Sequence, residues 1–240
     1  MRPLIGRFGG KSRVAKEIIK HFPEHEVYVE PMVGGGSVFF NKPPAKKEVV
    51  GDADRELMEL WKAAKKGVKC QTVVRSQEEL KKLLKKKPSN PCDIVAKIKC
   101  SFGNTASGPS RKENYPCSVN WPSPQHTERL RNTIIEVGDF EETMKKHDSP
   151  KTLHYLDPPY YKVSNDGYPE GLREMEPERV RRVADEVKGH VVISYNDHPH
   201  VREVFCKDGK YKCIPIDTPV SACSKGYCGK RRDLIIVKRR

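Results

Sequence analysis

The 240-residue sequence contains no run approaching about 18 apolar residues, which excludes a helical membrane span. Its first residues, Met1-Arg2-Pro3-Leu4-Ile5-Gly6, lack the apolar stretch of a secretory signal peptide. The eight cysteines, at 70, 92, 100, 117, 206, 213, 223 and 228, include no Cys-x-x-Cys pair. Their spacing fits no common zinc pattern, Cys213, Cys223 and Cys228 included, and no metal is expected. Without a secretory signal, the thiols are expected to be reduced. Gly-x-Gly-x-x-Gly is absent, which disfavours a dinucleotide cofactor and hence a nicotinamide oxidoreductase. No internal repeat is present. What remains is a soluble intracellular protein of one large domain, or one domain with a sizeable insertion.

Positive charge is abundant. Lys and Arg number 46 against 32 Asp and Glu, a formal net charge of +14. A surface this basic favours a polyanionic partner, most commonly nucleic acid, although charge alone does not separate DNA from RNA. Periodicity predicts helices at 12–21, 54–65, 77–87, 126–137, 177–188 and 198–206, with a helical stretch at 37–41. Short apolar strands are predicted at 27–29, 48–52, 153–156, 191–194, 211–216 and 234–237. Residues 101–125, rich in Gly, Asn, Ser and Pro, read as a long irregular segment, which in a compact protein marks function or disorder. Strands alternating with helices give an α/β fold with a mostly parallel sheet and a terminal β-hairpin. In such sheets the ligand sits beyond the carboxyl ends of the strands.

Two motifs fall at predicted strand ends. Glu30-Pro31-Met32-Val33-Gly34-Gly35-Gly36-Ser37 follows the strand at 27–29. Glycines there permit a tight turn and a close approach of backbone to ligand. An acid before them would repel a pyrophosphate but suits a cofactor carrying a sulfonium and an ammonium group. Asp52 ends the next strand, where an acid can accept from ribose hydroxyls; Asp54 competes for that role and is otherwise a helix cap. Gly9-Gly10-Lys11 is a small turn followed by a cation able to neutralise a carboxylate, and read alone it is an ordinary turn.

Asp157-Pro158-Pro159-Tyr160 is the most specific signal. An adenine N6 amine is a poor nucleophile because its lone pair is delocalised into the ring. An ionised Asp157 accepting one N6 hydrogen, with the Pro158 carbonyl accepting the other, would draw that lone pair out of conjugation. The prolines fix φ and aim the carbonyl. Tyr160 offers a face on which a flipped base can stack. Such a site needs neither metal nor covalent intermediate. Read as structure alone, the tetrad is a rigid proline turn.

Over nearly the whole chain these motifs resemble the Dam-like N6-adenine DNA methyltransferases, in the order cofactor motif, recognition domain, catalytic motif. Gly9-Gly10-Lys11 resembles the family's Gly-Gly-Lys element, and residues 30–37 its Glu-Pro-Phe-Val-Gly-x-Gly-Ser. Asp52 falls at its ribose acid, Asp139-Phe140 at its adenine-contacting pair and residues 157–160 at its catalytic tetrad. Residues 229–236 resemble its closing basic loop and strand. Two departures touch cofactor packing: Arg7, followed by Phe8, stands where an aromatic is common, and Met32 replaces the aromatic after Glu-Pro.

The resemblance implies a Rossmann-like, S-adenosylmethionine-dependent methyltransferase sheet with helices on both faces, at 1–64 and 136–240. It also implies an inserted, mainly helical DNA-recognition subdomain at 65–135. Asp157, Pro158 and Tyr160 would be catalytic. Arg7, Phe8, Gly10, Lys11, Glu30, Pro31, Val33, Gly34, Gly36, Ser37, Asp52, Asp139, Phe140 and Asp157 would surround S-adenosylmethionine. Duplex DNA would meet Lys225, Lys230, Arg231, Arg232 and the lysine-rich helix at its phosphates. Asn104, Arg111, Lys112, Asn114 and Asn120 would read its bases. The expected activity is site-specific methylation of a flipped-out adenine. Alternatives are an RNA adenine-N6 methyltransferase and a non-catalytic nucleic-acid-binding relative. A cytosine-N4 enzyme fits less well, because serine is commoner there at position 157. A restriction endonuclease acting on the same site is a candidate partner. The protein is expected as a monomer or weak dimer with no membrane partner.

Overall fold

Successive residues of a strand face opposite sides of its sheet, and in the central strands both sides are apolar. In β6 (Thr152–Leu156), Leu153 and Tyr155 enter one core and Leu156 the other. In β7 (His190–Asn196), Val192 opposes Val191 and Ile193; in β9 (Lys230–Lys238), Ile235 opposes Leu234 and Ile236. Strands buried on both faces read as unbroken apolar runs, which is why they are legible in the sequence. The first core takes helices α1 (Ala15–Ile19) and α2 (Arg55–Lys65). The second takes α6 (Phe140–Lys146), α7 (Pro177–Glu186) and α8 (Pro199–Cys206). The computed structural model describes all residues except 8, 88–89, 105, 107, 164–170, 172–174, 220–229 and 240, and only the backbone of Asn104, Pro219 and Lys230.

The remaining strands of this sheet are β1 (Val27–Glu30), β2 (Lys47–Asp52), β5 (Ile134–Val137) and β8 (Tyr211–Pro219). The order is β5-β2-β1-β6-β7-β9-β8. Pairings from β5 to β7 are parallel, and β9 runs antiparallel to both β7 and β8. This is a Rossmann-like sheet with helices on both faces and a terminal hairpin. The chain leaves β1 toward β2 on one side and returns to β6 on the other. The reversal between β1 and β6 opens a crevice at their carboxyl ends, where ligands of such sheets bind. Glu30 ends β1 and Asp157 follows β6. Among the described residues, no helix is long and apolar enough to cross a membrane.

Several local expectations change. Residues 37–41 form turns, and the first helix is five residues long. The helix predicted over 126–137 is two elements: α5 (Pro124–Leu130) and β5, whose Ile134-Ile135 pair is β-branched and suits a strand. Residues 70–121 hold a separate antiparallel pair, β3 (Cys70–Val74) with β4 (Cys117–Trp121). They also hold α3 (Gln77–Lys85) and α4 (Pro91–Cys100). Asn90 caps α4, accepting from Asp93 N at 2.9 Å, and Pro91 opens it. The strand pair, absent from the sequence reading, adds a two-stranded ribbon to a segment whose regular structure is otherwise helical. It shares the first core with α2, and Trp121 Nε1 donates to the Leu4 carbonyl at 2.8 Å.

The expectation of reduced thiols is also corrected. Disulfides join Cys70 to Cys92, Cys100 to Cys117, and Cys206 to Cys213. Folding brings each pair of Cα atoms to 5.2–5.9 Å, inside bridging range. Cys223 and Cys228 lie outside the described residues. The first two bridges pin β3 and β4 to the two ends of α4. They close stretches of 22 and 17 residues, and each is expected to contribute about 3 kcal/mol. Dithiothreitol should therefore lower the urea midpoint markedly. An unchanged midpoint would show that the bridges do not stabilise the fold.

Candidate active site

The glycine turn after β1 is shaped by close approaches. A Cβ at Gly35 would stand 2.2 Å from the Ile5 carbonyl oxygen. Gly36 has φ +77° and presses against Trp61 and Phe40, where a Cβ would fall within 2.9 Å of either ring. The turn is tied to β2 because Gly34 N donates to Asp52 Oδ2 (3.0 Å) and Trp61 Nε1 donates to the Gly34 carbonyl (3.0 Å). Asp52 Oδ1 accepts from Asp54 N at 3.0 Å. Asp54 takes the cap role, accepting from Leu57 N at 3.1 Å and pairing with Arg7 at 2.9 Å.

A cleft at the β1–β6 crevice gathers most of the expected cofactor residues. Arg7, Gly10 and Lys11 line it from the N-terminal turn; Glu30, Pro31, Val33, Gly34 and Ser37 from the glycine turn; Asp52, Asp139, Phe140 and Asp157 from other strand ends. Gly36 does not line it, and Phe8 lies outside the described residues. Asp139 caps α6 through Glu141 N (2.9 Å). Arg179 Nη2 donates to both Asp139 oxygens at 2.9 Å, and its guanidinium lies 4.9 Å from the centre of the Phe140 ring. Arg179 and Met175 also line the cleft, and neither was flagged from sequence. An Arg on an exposed helix face carries no motif.

Lys11, in the cleft lining, also pairs with Asp157. Its Nζ, at the end of a side chain only 6% exposed, lies 2.6 Å from Asp157 Oδ1 and donates to Oδ2 at 2.8 Å and to the Gly9 carbonyl at 3.0 Å. The contact to Oδ1 is an ion pair without hydrogen-bond alignment. Oδ1 is sealed from solvent and receives no hydrogen bond. Burial raises the Asp157 carboxyl above the usual range, while Lys11 opposes that shift. Burial also raises Asp52, whose bonds from Asp54 N and Gly34 N oppose it.

Glu30, 2% exposed, is the strongest case: burial pushes its carboxyl up to about 8, against the Tyr28 hydroxyl that donates to it at 2.6 Å. Its folded pKa is raised, so Glu30 favours folding fully below about pH 4.5 and loses that contribution as pH rises through about 8. The slope is at most about 1.4 kcal/mol per pH unit. Glu30→Gln should remove it. Urea midpoints across that window should therefore fall more for the wild-type protein than for the variant. Parallel curves would sink the assignment.

Tyr160 is 8% exposed, so its ring is largely covered. Lys11 Nζ and Arg231 Cζ lie 4.7 and 4.6 Å from its centroid, and its hydroxyl donates to Asp233 at 3.0 Å. Arg231 pairs with Asp233, whereas Arg232 is exposed. Arg111, Lys112, Asn114 and Asn120 are exposed on the short turn before β4 and on β4 itself, away from the cleft lining. Asn104 and Lys230 are described in backbone only, and Lys225 lies outside the described residues.

The family model of the D12 class N6 adenine-specific DNA methyltransferases matches residues 8–91 and 105–219. The chain is 24% identical over 201 residues to the type II methyltransferase M.MjaIII of Methanocaldococcus jannaschii, covering 67% of this chain and 69% of that protein. It is 24% identical over 186 residues to the DNA adenine methylase of Salmonella typhi, covering 65% and 64% respectively. Among solved structures, an rRNA methylase from Streptococcus thermophilus superposes with a TM-score of 0.42 at 9% identity, over 94% of this chain and 93% of that one. With the glycine turn, Asp52 and Asp157 lining one cleft and the family pattern matching most of the chain, the chain belongs to the D12 class N6 adenine-specific DNA methyltransferases.

Proposed function

We propose that the protein transfers a methyl group from S-adenosylmethionine to N6 of an adenine flipped out of duplex DNA, at a specific sequence. The observation that carries this reading is Asp157. It lines the cleft with its carboxylate ion-paired to Lys11 at 2.6 Å, beside further half-buried or buried acids, Glu30 and Asp52. The Asp157 carboxylate, whose side chain keeps 20% exposure, suits an amine hydrogen, and a cationic nucleoside relieves the acids, so these residues fit both substrate and cofactor. S-adenosylmethionine, when bound, supplies the electrophilic methyl. Asp52 would take the ribose hydroxyls, Asp139 and Phe140 the adenine ring, and Glu30 the cationic end. Lys11 opposes the rise that burial imposes on Asp157 and so favours its ionised form. Asp157 accepts one N6 hydrogen and the Pro158 carbonyl the other, which frees the nitrogen lone pair for in-line attack.

Residues 65–135 are the proposed target-recognition part, with Arg111, Lys112, Asn114 and Asn120 as base readers and Arg232 among the phosphate contacts. A restriction endonuclease of the same specificity is the partner this reading implies. The test is methyl transfer from labelled S-adenosylmethionine to mixed-sequence duplex DNA and to RNA, with the product nucleoside identified. N6-methyladenine in DNA is the expected product. Transfer to RNA alone would promote the RNA reading, and tight DNA binding without transfer would leave a non-catalytic relative.

A further inference from the structure

Tyr160 belongs to the turn after β6, where Tyr195 of β7 stacks at 6.2 Å and Lys11 lies 4.7 Å from its centroid, yet its hydroxyl partner comes from β9. Asp233, 1% exposed, lies beside the apolar run Leu234-Ile235-Ile236. A buried carboxylate there is costly unless its oxygens are satisfied. Both are: Tyr160 OH donates to Oδ2 (3.0 Å), and Arg231 donates Nε to Oδ1 (2.8 Å) and Nη2 to Oδ2 (3.1 Å). Arg231 then lays its guanidinium over the same tyrosine ring at 4.6 Å. Across the ladder from Asp233 stands Asn196 of β7. Its side chain accepts from Tyr161 N and donates to Tyr161 O, both at 3.0 Å. Two opposed residues of neighbouring strands thus hold ring and backbone at the end of the tetrad.

We propose that Asp233 and Arg231 form a bracket that fixes the Tyr160 side chain and, through it, the turn that carries Asp157, making both positioning residues for methyl transfer. Arg231 then acts inside the site and is not a phosphate contact. The inference deepens the adenine-methylation reading and rests on it. Arg231 and Asp233 carry opposite charge, so the bracket adds no net charge beside Asp157, and Lys11 remains its counter-ion.

The experiment is a double-mutant cycle on Tyr160→Phe and Asp233→Asn, joined to Arg231→Gln. Each variant is expected to lower kcat about tenfold, with cofactor Kd changed less than about twofold. The Tyr160→Phe/Asp233→Asn double variant should lose about tenfold as well; about hundredfold, the product of independent losses, would show that Asp233 does not act through the tyrosine. Arg231→Gln, at a side chain 37% exposed, keeps the test open where Asp233→Asn fails to fold. Its binding to a labelled duplex should show an unchanged slope of log Kd against log salt. A slope smaller by about one, with kcat intact, would make Arg231 a phosphate contact and overturn the bracket. The binding arm needs no turnover. A wild-type protein that transfers no methyl to DNA would defeat the functional reading, while the salt slope would still judge the bracket.

Discussion

Asp157→Asn is expected to reduce methyl transfer by a factor on the order of 10³, the usual loss when a positioned acceptor of protons is removed. The amide keeps the shape but loses the charge that draws the N6 hydrogen, and its NH₂ would face the amine as a second donor. The same change leaves Lys11, 5% exposed, without its counter-ion. That should cost on the order of 1–3 kcal/mol, less than for a fully buried pair because the Asp157 side chain keeps 20% exposure. Radiolabel transfer and thermal unfolding read the two effects separately. Activity within tenfold of wild type would remove Asp157 from the chemistry. Lys11→Met tests the other partner. Lys11 opposes the rise that burial imposes on Asp157, so its loss should move the acid limb of the rate profile to higher pH.

The largest expected effect on stability lies away from the cleft. Glu48 of β2, 6% exposed, receives Lys42 Nζ at 2.6 Å, Arg129 through both terminal nitrogens, and Ala45 N at 3.1 Å. Burial alone would raise its carboxyl, but Arg129 and Lys42 outweigh burial and hold it below the usual range. Lys42 also lies 4.2 Å from the Tyr28 ring and Arg129 4.2 Å from the Phe39 ring. Glu48→Gln strands two cations with side chains only 1% and 12% exposed. The expected loss is about 3–5 kcal/mol, on the order of 10 °C in Tm for a chain this size. Glu59→Gln, which breaks the exposed pair with Lys62, should change stability by less than about 1 kcal/mol. Similar melting for both variants would refute the network's importance.

The sequence by itself determined the sheet's central strands and several of the residues that meet in the cleft at their ends. Val191-Val192-Ile193 and Leu234-Ile235-Ile236 are buried on both faces, so apolar content alone marks them. Glu30, Asp52 and Asp157 are legible because the Gly turn and the Pro-Pro turn need particular residues at fixed spacing, and spacing survives in one dimension. β3 and β4 escaped because a two-stranded ribbon with one covered face leaves short, weakly alternating patterns such as Cys-Gln-Thr-Val-Val. The cysteine pairings escaped because connectivity depends on which Cα atoms folding brings within bridging distance. Lys11 reads in sequence as a cation able to neutralise a carboxylate, but only the fold, closing 146 residues of separation, set it against Asp157. Asp233 read as one acid in a basic loop. Its meaning appeared only when β9 paired with β7 and placed a buried carboxylate at the Tyr160 hydroxyl, because a long-range hydrogen bond leaves no periodicity for a sequence to display.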